Sequence, residues 1–291
     1  MKDLGALKYF LGIEVARGAE GLFLSQRKYT LDVLTEAGML GCKPIDTPME
    51  QNHHLATADG PSMPDPAQYR RLVGRLVYLT ITRPELSYSV HTLAQFLSNP
   101  KVEHWDDALR VLRYLKGSPG QGILLRKCND LRLNAFCDSD WAACPLTRRS
   151  LTGYFVLLGT SPISWKTKRQ PTVSRSSAEA EYRAMAVTTC ELKWLKSLLR
   201  SLGVHHSRPM RLFCDSQAAI HIAANPVFHD RTKHIEADCH FVRDELQAGN
   251  ITTSYVPTGH QLADILTKAL GRQQFYYLLR KLGICDLHAP T

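Results

Sequence analysis

Nowhere does this sequence approach the eighteen or so consecutive apolar residues that a membrane-spanning helix needs. Its opening residues, Met1-Lys2-Asp3-Leu4-Gly5, lack the apolar core of a secretory signal. Cys-x-x-Cys pairs are missing too. The eight cysteines (Cys42, Cys128, Cys137, Cys144, Cys190, Cys214, Cys239 and Cys285) stand apart, most of them within apolar runs. That spacing excludes a disulfide framework and a zinc site built on paired cysteines, and it reads as buried free thiols in a reducing compartment. Internal repeats and low-complexity tracts are also absent. These absences describe a globular, intracellular protein of the cytoplasm or nucleus, with no membrane partner.

What is present is basic. Thirty-six Lys and Arg against 27 Asp and Glu leave a net charge of +9, which favours a polyanionic partner over an acidic-surface role. A merely basic soluble protein has the same balance, so charge alone does not decide. The 291 residues allow one large domain or two to three small ones.

Residues 7–26 read as a β-hairpin, with Tyr9–Val15 and Leu22–Leu24 flanking the turn-rich Arg17-Gly18-Ala19-Glu20-Gly21. A helix capped by Ser25 is expected to follow, stopping at Gly38. Residues 43–66 are rich in Pro, Asp and His without apolar periodicity, and read as a linker or a long surface loop. Three helices are expected next, over 68–79, 84–97 and 103–116, with Leu72, Leu76, Leu79, Leu109, Leu112 and Leu115 at helical spacing. From about residue 131 the pattern changes. Strands are expected over 131–138, 152–158, 163–168, 211–214 and 251–256, and helices over 176–202, 216–224, 234–248 and 261–270. That order describes an α/β unit with a mixed five-stranded sheet and flanking helices. A last amphipathic helix is expected over 273–282.

Four segments of this second region each deliver a carboxylate from a strand end or a helix start: Asp138, Glu181, Asp215 and Asp264. Convergent, desolvated carboxylates repel one another unless divalent cations sit between them. Asp138 follows an apolar strand and is favoured over Asp140, two residues on. Glu181 shares a helix face with residues that bury well, whereas register on Glu179 would bury Arg183; Glu179 suits the helix dipole. Taken singly, Asp215 is also explained as a helix cap and Asp264 as a first-turn acid. The run Thr172–Ser177 offers hydroxyls, a cation and free N–H groups at a helix start, a seat for phosphate or simply a cap.

The series FCDSDWA, SRSSAEAEYRAMA, LFCDSQAAI and YVPTGHQLADILTKAL resembles the ribonuclease H domain of copia-type retrotransposon Pol polyproteins. Upstream, LKYFLGIEV, LSQRKYTLDVLTEAGMLGCKPIDTPM, LVGRLVYLTITRPELSYSV and LRYLKGSPGQGI resemble the end of the reverse transcriptase palm and the helical region after it. The resemblance implies a truncated palm remnant over 1–50, a linker or loop over 51–67, and a thumb- or connection-like helical region over 68–128. It further implies a ribonuclease H-like domain over 129–272 and a C-terminal helix and tail over 273–291. It makes Asp138, Glu181, Asp215 and Asp264 the catalytic metal ligands for two Mg²⁺ roughly 4 Å apart, which Mn²⁺ can replace, with Asp138 bridging both. The implied reaction is hydrolysis of the RNA strand of an RNA–DNA hybrid, recognised by shape and 2′-hydroxyls. Lys168, Arg169, Arg175 and Ser176 are the expected nucleic-acid contacts. Further partners are the N-terminal reverse transcriptase portion and other Pol products.

The chain departs from that pattern in places. His260 lies only four residues before Asp264, closer than the mobile histidine of cellular ribonucleases H, and reads as a loop residue. The series His229, Lys233, His234 and His240 invites a zinc reading that the missing cysteine pairs reject, leaving a structural or nucleic-acid-contacting helix. No Tyr-x-Asp-Asp motif is present, so polymerase activity is not expected. A non-catalytic nucleic-acid-binding remnant of a retroelement is the competing reading; a resolvase- or integrase-type nuclease fits the Asp-Glu-Asp-Asp order less well.

Overall fold

The computed structural model describes residues 5–127, 130–225 and 236–286. The chain divides into two compact units, Met1–Cys128 with Ala269–Thr291, and Asn129–Lys268.

In the first unit the expected hairpin is joined by strands that the sequence pattern did not reveal. An antiparallel sheet runs in the order Tyr9–Phe10, Ile13–Arg17, Gly21–Ser25, Gln121–Arg126 and Ile284–Asp286. Ser25 ends a strand here. Gln26 takes the N-cap position of the helix Arg27–Glu36 without a side-chain cap bond, its carboxamide oxygen accepting from Thr82 Oγ1 instead. The next helix, Pro66–Leu79, starts earlier than expected because Asp65 caps the amides of Ala67 and Gln68, and Pro66 suits the first turn. Helices Ser87–Ala94 and Val102–Gly117 follow, and Leu72, Leu76, Leu79, Leu112 and Leu115 are buried as their spacing predicts. Residues 43–65 are mostly irregular yet bury Met49, Leu55 and Met63.

The second unit is an α/β domain with a mixed five-stranded sheet. Its sheet runs in the order Ser161–Arg169, Leu151–Leu158, Leu133–Asp140, Met210–Cys214 and Ile251–Tyr255. The first three strands pair antiparallel; the last two add parallel to Leu133–Asp140. Leu133, Ala135, Cys137, Tyr154 and Val156 alternate onto one face and pack against Tyr182, Met185 and Leu192 of the long helix Ser177–Ser201. Helices Gln217–Ala224 and Glu236–Gln247 close that side. The helix expected over 261–270 is instead a single 3₁₀ turn, Leu262–Leu266, preceded by another at Thr258–His260. All five residues of the second turn are buried, so no solvent-facing side exists to support an amphipathic helix.

That turn lies over Gly153, the cross-strand partner of Asp138. A Cβ at Gly153 would stand 2.6 Å from Thr267 Cγ2 and 3.0 Å from Leu266 Cβ. Gly153→Ala should therefore cost about 1–3 kcal/mol by overpacking; urea denaturation checks this, and an unchanged midpoint would refute the close approach. Among the described residues no helix is long and apolar enough to cross a membrane. Four of the described cysteines are buried as expected, but Cys190 is exposed and Cys42 and Cys285 are half-buried.

Candidate active site

Strand alternation puts Asp138 on the sheet face opposite the long helix, where the buried 3₁₀ turn brings Asp264 to it. Asp215, directly after the strand Met210–Cys214, completes the group. One carboxylate oxygen from each of Asp138, Asp215 and Asp264 lies within 4.8 Å of the others. Glu181 reaches the same end of the sheet from the long helix, accepting from the Ser139 amide at 3.0 Å. Its carboxylate forms a second close group with Cys214 and Asp215, the Cys214 thiol lying 3.7 Å from its Oε2. All four acids from the sequence thus converge.

Several side chains that the sequence did not single out hold these acids. Thr267 Oγ1 donates to Asp138 Oδ2, and Lys268 Nζ lies 3.2 Å from Asp138 Oδ1 and 3.0 Å from Asp264 Oδ1. Thr258 Oγ1 donates to Asp215 Oδ2 at 2.9 Å. Gln261 Nε2 donates to the Cys137 carbonyl at 2.9 Å, tying the turn to the residue before Asp138. Behind the sheet, the buried Gln170 amide reaches Ser139 Oγ, Thr152 Oγ1 and the Ala180 carbonyl, fixing the strand against the helix. The one available signal for Lys268 was its position four residues after Asp264, where an ammonium meets a carboxylate on a helical turn.

The rivals fall elsewhere. The strand continues through Asp140, which shares the face of Asp138 but is outside the three-carboxylate group; burial pushes its carboxyl up to about 6. Glu179 accepts from the Arg175 amide and pairs with Arg183, while Ser176 caps the helix by accepting from the Glu179 amide. Arg175 is exposed beside that cap. Lys168 is paired with Thr152, so it projects from the face opposite Asp138. With Arg169, Lys166 and Arg183 it lines a separate cavity of about 290 Å³. His260 is exposed on the turn Thr258–His260, and His240 is exposed on the helix Glu236–Gln247. His229, Lys233 and His234 lie outside the described residues.

No family model matches the chain. It is 49% identical, over 98% of its length, to the retrovirus-related Pol polyprotein from transposon RE2 of Arabidopsis thaliana. It is 34% identical, again over 98%, to that from transposon TNT 1-94 of Nicotiana tabacum. An uncharacterized mitochondrial protein of Arabidopsis thaliana, AtMg00810, is 51% identical over 67% of the chain and 80% of that relative. The chain belongs to the copia-type retrotransposon Pol family. It spans about a fifth of the Pol polyproteins it matches. Among solved structures, ribonuclease H1 of Halobacterium salinarum aligns over 45% of this chain and 90% of its own, at 14% identity and a TM-score of 0.34. A foamy viral protease-reverse transcriptase aligns over 86% of this chain and 37% of its own, at 12% identity and a TM-score of 0.48.

Burial and mutual repulsion raise the carboxyl groups of this site, even with Lys268 beside two of them. Burial first, then the charge of Asp138, raises Glu181 to about 10. The same two causes raise Asp264 to about 7. Burial raises Asp138 as well, against the pull of Lys268. Their ordinary values are 4.5 for Glu181 and 3.8 for Asp264. The folded chain thus keeps protons that the unfolded chain has lost, and stability falls as pH rises between those values and the raised ones. In EDTA, the melting temperature should drop steadily from pH 5 to pH 9, most steeply below pH 7 where both groups contribute. Mg²⁺ should flatten the slope by replacing the protons. A melting temperature in EDTA that rises across this range would contradict the burial of these carboxyls.

Proposed function

We propose that this chain is a Mg²⁺-dependent endonuclease that hydrolyses the RNA strand of RNA–DNA hybrids. The observation that carries the reading is the convergence of three carboxylates within 4.8 Å, with Glu181 beside them, in a chain of net charge +9. The donor set fits hard divalent cations, because the ligands offered are carboxylate oxygens and their mutual repulsion is relieved by positive charge. Bound cations would polarise the scissile phosphate and lower the pKa of the attacking water. Asp138, at the centre of the group, would serve both ions; Asp264 would share one, and Glu181 and Asp215 the other.

The protein's own part is to hold these groups in place before substrate arrives. Thr258 and the Ser139 amide fix Asp215 and Glu181 in orientation, and Thr267 fixes Asp138. Preorganised groups need no rearrangement as charge develops on the phosphate. Arg175 and Ser176, at the start of the long helix, would meet backbone phosphates. Lys168 and Arg169 would meet others at the cavity they line with Lys166 and Arg183.

The test is to incubate the purified chain with a labelled hybrid, single-stranded RNA and double-stranded RNA, in Mg²⁺ or EDTA. Cleavage confined to the hybrid and abolished by EDTA is expected. Binding without cleavage at every Mg²⁺ concentration would overturn the enzyme reading in favour of a non-catalytic nucleic-acid-binding remnant.

A further inference from the structure

We propose that the Lys268 ammonium is a built-in counter-cation of this site, bridging Asp138 and Asp264 until a divalent ion displaces it. The inference rests on the reading of these two acids as metal ligands. Among the described residues, Lys268 ion-pairs with both carboxylates at once, at 3.2 and 3.0 Å. Its backbone is anchored, since the Lys268 amide donates to the Asp264 carbonyl at 2.9 Å. Only the flexible four-carbon stem separates that anchor from the charge, so the ammonium can leave without moving the turn.

Geometry makes the two occupants exclusive. An ion ligated by Asp138 Oδ1 and Asp264 Oδ1 would occupy the space that Lys268 Nζ fills. The other oxygen of Asp138 already accepts from Thr267, so the carboxylate cannot simply turn its second edge to the ion and keep all its partners. A route outward exists, because the Lys268 side chain is 33% exposed while those of Asp138 and Asp264 are 1% and 5% exposed. Lys268 thus holds together carboxylates that would otherwise repel one another, and it lowers apparent metal affinity, because only the fraction with the ammonium withdrawn is competent to bind.

The test compares the full chain with Lys268→Gln, Lys268→Arg, Asp138→Asn and Asp264→Asn, using Mn²⁺ binding followed by electron paramagnetic resonance and melting in EDTA. Lys268→Gln should bind Mn²⁺ on the order of tenfold more tightly than the wild type, and should melt several degrees lower in EDTA. Lys268→Arg should keep the melting temperature in EDTA. Unchanged or weaker Mn²⁺ binding in Lys268→Gln, with binding lost in Asp138→Asn and Asp264→Asn, would overturn this inference and leave the metal-site reading standing. Mn²⁺ binding unaffected in both aspartate variants would overturn that reading itself. Should Lys268→Gln fail to fold, the wild type still decides. Its Lys268 ammonium resonance, assigned by its disappearance in Lys268→Arg, should be protected in EDTA and lose protection in saturating Mg²⁺. A resonance that Mg²⁺ leaves unmoved overturns the inference.

Discussion

Asp138→Asn should lower the hybrid-cleavage rate about a thousandfold or more, since losing the central ligand forfeits several kcal/mol of charge stabilisation and each 1.4 kcal/mol is tenfold. The fold should survive the change. Asparagine has the same shape, its carbonyl oxygen can still accept from Lys268, and its amide can donate to the Thr267 hydroxyl, which then reverses its role. Removing the charge also relieves Glu181 and Asp264, both raised in part by Asp138. The melting temperature in EDTA should therefore hold or rise while activity collapses. Single-turnover cleavage in saturating Mg²⁺, with circular dichroism on the same sample, separates the two effects. A loss of less than tenfold with intact folding would remove Asp138 from the centre of the mechanism and turn attention to Asp140, which shares its face.

The acids were legible through the order and spacing of all four together, since each taken singly had an ordinary structural explanation. Asp138 and Asp215 follow apolar strands; Glu181 sits in a long helix that buries Glu179 as well, and only the partners separate the two, Glu179 pairing with Arg183 and Glu181 accepting from the Ser139 amide. What surrounds them was not legible, for identifiable reasons. The turn carrying Asp264 reads as a helix by composition, yet it is buried on all sides against Gly153, a tertiary constraint that no local pattern expresses. Lys268 and Thr267 follow Asp264 closely in sequence, but only the sheet tells that they also meet Asp138, some 130 residues earlier. Lys168 illustrates the converse. Proximity in sequence suggested a cation beside the site, whereas the strict alternation of the strand sends it to the opposite face. In the first unit, Ile284–Asp286 is three residues long, too short to carry period-two evidence, and it becomes a strand through pairing with Gln121–Arg126.

The largest stability effect is expected away from the acids, at Arg83. Its side chain is fully buried and donates through Nε to Glu85 Oε1 at 2.5 Å, through Nη1 to the Ser118 carbonyl at 2.9 Å and through Nη2 to Ser118 Oγ at 2.9 Å. Its guanidinium lies 5.6 Å from the Tyr114 ring centroid, and Gln121 Nε2 donates to the same Glu85 oxygen. Gln121 opens the strand that pairs with both the hairpin and Ile284–Asp286, so this network joins a helix end to the sheet of the first unit. Arg83→Ala would strand the Glu85 carboxylate in the interior without its cation, a loss of about 3–5 kcal/mol. That corresponds to a fall in melting temperature of roughly 6–20 °C for a unit of this size. Lysine is no remedy, since a single ammonium cannot reproduce three directed donors from one planar fork. The double variant Arg83→Met with Glu85→Leu should recover most of the loss, because removing both charges leaves no buried charge unpaired. Guanidinium denaturation of the three variants decides the matter: if Arg83→Ala costs under 1 kcal/mol, or the double variant is as unstable as the single, the buried pair is not what holds this corner.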